Sequence, residues 1–257
     1  MNIKYTLGAL VSIPLLPVLY FQGKKIRKTV PKLPEATGIE GISKGKNDQS
    51  FQLITIGEST IAGVGAKTHE TAFTGTLAKE LAEQTANNIA WKVYAKSGYT
   101  AKNVTKKLIK HIVEQPVDLI VVGLGGNDSF TLNSPKGWNK DIRALIARIR
   151  ESYPTPPIVF INMPPIKEFT AFTGAIKFVI GNLVIHLGKE LQKVVKDYEN
   201  VHYYSKELKY DDMISRLQVD AKPADFFSDG VHPSELAYQI WAKDVANFIL
   251  RENILQS

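Results

Sequence analysis

Short apolar runs rich in β-branched residues recur along this chain, and the stretches between them carry helical periodicity. The runs predicted as strands are Phe51–Ile56, Ile89–Tyr94, Val117–Gly123, Ile158–Asn162 and Val201–Tyr204. Between them, apolar residues return every three to four positions near 71–86, 101–114, 138–152 and 175–199, and a last helix is expected from Pro233. Ala237, Ile240, Trp241, Val245, Phe248 and Ile249 fall on one face of that last segment. Strands alternating with helices at this spacing point to parallel pairing with helices on both faces. The expected fold is α/β: a three-layer α/β/α sandwich around a central parallel sheet of about five strands.

The first fifty residues break this pattern. Leu7 to Phe21 is apolar apart from Ser12 and Tyr20, and is followed by Lys24, Lys25, Arg27 and Lys28. As a helix it would span roughly 22 Å, short of a ~30 Å hydrocarbon core, and Pro14 and Pro17 would kink it. A cleaved signal peptide would need small residues before the cut, which Tyr20-Phe21-Gln22-Gly23 does not supply. A retained anchor whose basic cluster touches anionic headgroups fits better, and a plain tail fits poorly with so apolar a run. The expected division is therefore 1–28 as membrane anchor, 29–48 as linker, and 49–257 as catalytic domain. The positive-inside rule leans the domain to the cytoplasmic face, with the periplasmic or extracytoplasmic side as the alternative.

Charge sharpens this division. Of the net +7 over 257 residues, +6 belongs to residues 1–47, leaving the folded part nearly neutral. A nucleic-acid partner is not expected. With no cysteine, disulfides, thiolate metal sites and cysteine nucleophiles are excluded. His69, His111, His186 and His202 form no metal-ligand spacing, so no metal or other cofactor is expected.

Chemistry collects at the strand ends. Gly57-Glu58-Ser59-Thr60 follows the first strand, with a serine where α/β folds place their ligands and a glycine that would permit a tight turn. Ala95-Lys96-Ser97-Gly98 follows the second, and Gly98 can present its N–H without a side chain in the way. Gly123-Leu124-Gly125-Gly126-Asn127-Asp128 follows the third; it lacks the Lys-Ser/Thr ending of a phosphate loop, and Asn127 offers a neutral N–H donor. Asp229-Gly230-Val231-His232 precedes the last helix, with Asp229 close enough to turn back onto the imidazole. Each of these stretches also has a bland reading as a turn or a cap.

Taken together and in this order, the four stretches resemble the motif blocks of the SGNH, or GDSL-type, hydrolases over about residues 50–250. The resemblance implies a flavodoxin-like SGNH fold and hydrolysis of a small-molecule acyl ester without metal. It makes Ser59 the nucleophile, His232 the general base and Asp229 the residue that orients it. Ser59 and Gly98 N–H groups with the Asn127 side chain would form the oxyanion hole. Glu58 departs from the family's commoner aspartate, and Asp128 is carried over as a structural member only. After the fourth strand, residues 163–180 form an apolar, proline-broken insertion whose Phe169, Phe172 and Phe178 are candidates for an acyl-chain wall. Lipid-like esters such as lysophospholipids are the expected substrates; sugar O-acetyl esters or thioesters are alternatives, and a non-catalytic membrane-tethered binding protein is an alternative of another class. Oligomeric state is open.

Overall fold

The computed structural model describes residues 8, 12–113, 116–217 and 221–255. In chain order the strands are β1 (Glu40–Ser43), β2 (Ser50–Gly57), β3 (Asn88–Ala95), β4 (Leu119–Gly123), β5 (Ile158–Phe160) and β6 (Val201–Tyr203). The helices are α1 (Leu16–Thr29), α2 (Phe73–Thr85), α3 (Ala101–Lys107), α4 (Gly126–Phe130), α5 (Pro135–Ser152), α6 (Gly174–Val195), α7 (Tyr210–Leu217) and α8 (Glu235–Arg251). The sheet runs β1-β3-β2-β4-β5-β6, parallel throughout except for β1, which pairs antiparallel with β3 at the edge.

The central strands read as unbroken apolar runs because both of their faces are covered. Side chains alternate between two cores: Leu53, Leu119 and Val121 face one side with α2 and α8 residues such as Leu77, Leu81, Tyr238 and Val245. Ile54, Ile56, Ile120 and Val122 face the other, with α3, α5 and α6 residues such as Val104, Ile142, Ile146 and Leu187. The layered α/β/α expectation holds.

Several boundaries differ from the sequence reading. The segment expected as a linker is part of the domain: it supplies β1, buries Ala36, and bonds Ala36 N–H to Ala62 O (2.9 Å) and Asn47 N–H to Ala86 O (2.7 Å). Its glycines and short polar stretches hid a four-residue edge strand too short to show a period. Pro233 is not the first helical residue; Ser234 caps α8 by accepting the Ala237 N–H, and Pro233 instead bridges to Phe227. The helix expected over 101–114 stops as α3 at Lys107 and continues as a 3₁₀ turn, Ile109–His111. The short α4 and α7 are additions that no expected helix covers.

The anchor segment falls partly outside the described residues, at 1–7 and 9–11. From Leu16 it forms α1, which lies on the domain: Leu15, Leu19 and Ile26 pack against the core beside α6. Among the described residues no helix is long and apolar enough to cross a membrane.

Candidate active site

Strand register brings the motif blocks together. In the sheet Gly57 pairs with Ala95 on one side and Gly123 on the other, so β2, β3 and β4 end level. Ser59, Gly98 and Asn127 each lie two to four residues beyond that line, at the carboxyl ends of three adjacent strands. Strand order reverses at β2, with β3 following on one side and β4 on the other, the place where open α/β sheets leave a crevice.

Gly57 is required for a reason other than the turn freedom expected of it. A Cβ there would stand 2.3 Å from Gly123 O and 2.5 Å from Ile61 Cγ1, so only glycine lets the two strands and the buried Ile61 meet. Beyond it the chain winds into a tight turn: Ala62 N–H donates to Glu58 O (2.8 Å) and Val64 N–H to Ser59 O (3.0 Å). Ser59 stands at the head of this turn, partly exposed.

The turn is fastened to the C-terminal segment. Ser228 Oγ donates to Gly65 O at 3.0 Å, and Tyr238 Oη to Val64 O at 2.8 Å. This carries the Asp229–His232 loop to the same side of the sheet. Asp229 Oδ2 lies 2.7 Å from His232 Nδ1, while its Oδ1 accepts the N–H groups of Val231 (2.9 Å) and His232 (2.7 Å). Burial pushes the Asp229 carboxyl up, but these bonds from His232 more than offset it, and the group is held below the usual aspartate value. An ionised carboxylate can only accept, so Nδ1 carries the hydrogen and Nε2 is left as the acceptor. Among the described residues no hydrogen bond joins Ser59 Oγ to Nε2. Such contacts commonly tighten only with substrate bound.

Gly98 adopts φ +84°, a left-handed conformation that favours glycine, and its N–H and that of Ser59 donate to no other described residue. Two amides are thus free to donate to a ligand. Asn127 is differently placed. Its Nδ2 donates to Tyr99 O (3.2 Å) and to Glu58 Oε2 in a short contact.

Glu58 is the residue whose part the sequence understated. Its Oε1 accepts Gly126 N–H at 2.7 Å, and its Oε2 accepts Asn127 N–H at 2.8 Å as well as the Asn127 amide. The carboxylate therefore clamps the start of α4 and the Asn127 side chain together. Burial lifts its pKa to about 7; the N–H donors pull it down and the neighbouring Asp128 raises it. The sequence signal was a lone carboxylate at the end of an apolar strand. Asp128 ties the same loop outward, accepting Ala101 N–H (2.9 Å) and Asn133 Nδ2 (3.2 Å). Glu35, from the segment expected as linker, accepts Ser97 N–H at 2.8 Å and so steadies the Gly98 loop; nothing in the sequence marked it.

The three phenylalanines expected as one wall do not form one. Phe169 is buried, stacking edge-on with Phe172 and Phe227 at 5.2 and 5.7 Å between ring centroids. Phe172 meets Phe130 of α4 at 5.7 Å. Phe178 stands apart on α6, 49% exposed and, among the described residues, in contact with no ring. Spacing on the sequence could not say which ring turned inward.

No curated protein matches the chain in sequence. Its fold is similar to that of the inhibitor-bound aryl esterase of M. smegmatis (TM-score 0.57, 15% identity, covering 78% of this chain and 99% of that one). It is also similar to a family 3 carbohydrate esterase of Clostridium thermocellum (0.58, 16%, 80% and 98%) and to TesA (0.57, 16%, 79% and 99%). The family model for the GDSL-like Lipase/Acylhydrolase family matches residues 55–240, and the chain belongs to that family.

Proposed function

We propose that the protein is a serine hydrolase that cleaves acyl esters through an acyl-enzyme on Ser59. The observation that carries this reading is the level ending of β2, β3 and β4, which puts Ser59 and Gly98 at neighbouring strand ends with N–H groups that have no acceptor among the described residues, on the side of the sheet that carries the paired Asp229 and His232. His232 Nε2 takes the Ser59 proton as Oγ attacks the ester carbon, because a serine hydroxyl is a weak nucleophile without a base. The former carbonyl oxygen becomes negative, and the N–H groups of Ser59 and Gly98 stabilise it, with Asn127 Nδ2 as a third donor once the hydrogen it gives to Tyr99 O at 3.2 Å turns to the substrate. Collapse expels the alcohol, which receives the proton from His232. Water then attacks the acyl-enzyme by the same route in reverse order, regenerating Ser59.

Acyl esters of lipid-like character suit the site because the Phe130–Phe172–Phe169 cluster lines its edge from α4 to the 163–173 insertion. The test is hydrolysis of p-nitrophenyl esters from acetyl to palmitoyl, with Ser59→Ala alongside. Loss of turnover by roughly 10⁴-fold or more in a folded Ser59→Ala protein is the expected result. An optimum at acetyl would move the substrate to sugar O-acetyl esters. Full activity in the variant would refute the mechanism.

A further inference from the structure

The N-terminal helix α1 is built with two faces and two halves. Ser12, Leu15, Leu19, Gln22, Ile26 and Val30 recur at helical spacing, are half-buried, and form the stripe turned to the domain. On the opposite side stand Pro17, Phe21, Lys24 and Lys28, all exposed. The outer face is thus apolar in its first half, where Phe21 is 69% and Tyr20 61% exposed, and cationic in its second. An exposed phenylalanine beside exposed Ile13, Leu16 and Val18 costs solubility unless something apolar covers it.

What covers it can be read from the charge. The first carboxylate in the chain is Glu35, so nothing acidic within residues 1–34 balances the lysines. A neutral apolar partner, or a second copy of this helix with the same lysines, would leave them unanswered. An anionic lipid surface answers both halves. From Phe21 to Lys24 and on to Lys28 the helix rises about 5 to 10 Å, the depth from the acyl boundary to the headgroups.

The helix is also fastened to the rim of the active site. Thr173 Oγ1 donates to Gln22 Oε1 at 2.6 Å, Ala171 N–H donates to Gly230 O at 3.1 Å, and Gly230 lies between Asp229 and His232. Past α1 the chain runs to Glu35, which holds the Gly98 loop through Ser97.

We infer that α1 is an oblique docking device for an anionic lipid surface, entering with Ile13–Phe21 and resting Lys24, Lys25 and Lys28 on the headgroups, so that the catalytic mouth is held at the interface. Docking does not depend on the Ser59 chemistry, and it is read without turnover. The test is co-sedimentation of the full chain with vesicles of phosphatidylcholine, and of phosphatidylcholine mixed with phosphatidylglycerol. The wild-type protein is expected to partition into the mixed vesicles and to be released by high salt. Lys24→Gln with Lys25→Gln should cut partitioning about thirty-fold, at roughly fivefold per lysine. Phe21→Ser should cut it about tenfold or more. All variants should keep wild-type hydrolysis of a short soluble ester, which also reports their folding, while losing hydrolysis of an ester presented in mixed vesicles. Equal binding to pure phosphatidylcholine, unchanged binding in the variants, or a Phe21-dependent dimer that ignores vesicles would each overturn the inference.

Discussion

Replacing Glu58 by glutamine removes a charge without changing shape, and the local hydrogen bonds dictate the outcome. The carboxylate accepts three N–H groups, two on Oε2 and one on Oε1. A glutamine oxygen can keep the two from Asn127, but its NH₂ then faces Gly126 N–H, donor against donor. One buried unsatisfied donor costs about 1–3 kcal/mol. Against this, burial lifts the pKa from 4.5 to about 7, so ionising Glu58 in the folded protein costs about 3 kcal/mol above pH 7. The two nearly offset, and stability at pH 8.5 should change by no more than about 2 kcal/mol in either direction. The sign of the pH dependence is definite. Between pH 4.5 and 7 the folded state holds a proton that the unfolded state has released, so wild-type stability from this group is lost as pH rises through 7, and the variant lacks that loss.

Activity should respond more than stability. Above pH 7 the ionised clamp holds Asn127 through charge-assisted bonds; the protonated carboxyl, like glutamine, turns a donor toward Gly126 N–H and keeps Asn127 only through weaker neutral ones. Full loss of an oxyanion donor is worth roughly 10²–10³ in kcat, so a loosened one should cost about 10- to 100-fold. The assay is kcat and KM on a soluble p-nitrophenyl ester from about pH 5.5 to 9, beside urea denaturation. The ratio of wild-type to Glu58→Gln kcat should grow with pH through about 7 and level off above it, with KM little changed. A folded variant with wild-type kcat at about pH 8.5 and a constant ratio would refute the clamp.

Two further outcomes test neighbouring parts. Asn127→Ala should lower kcat by roughly 10²–10³ and the melting temperature by a few degrees, since Glu58 and Tyr99 O each lose a donor, and wild-type turnover would remove Asn127 from the oxyanion hole. His69 is buried with its Nδ1 unpartnered among the described residues, and burial lowers its pKa to about 4, so the unfolded state alone binds a proton as pH falls below 6.5. Its contribution of about 3 kcal/mol should be lost between pH 6.5 and 4, and His69→Gln should flatten that limb of the stability curve measured by urea denaturation.

Much of the fold was legible because both faces of the central strands are buried, which writes them as plain apolar runs at regular spacing. The motif residues were legible for a related reason: serine, glycine, asparagine and the Asp-x-x-His pair stand at strand ends, where little else would place them. Residue order alone was enough for the layer order, the five parallel strands, the four blocks and the concentration of charge at the N-terminus. Features that depend on long-range pairing were settled by the folded chain. Edge strand β1 exists because β3 offers an open edge, not because Glu40–Ser43 has a pattern. Glu58 became a clamp because register brings Gly126 within its reach, 68 positions along the chain. The same holds for Glu35 on Ser97, for Phe169 turning inward while Phe178 turns out, and for α1 lying along the domain rather than apart from it. Local periodicity records which side of an element is buried, and it carries no information about which distant element does the burying.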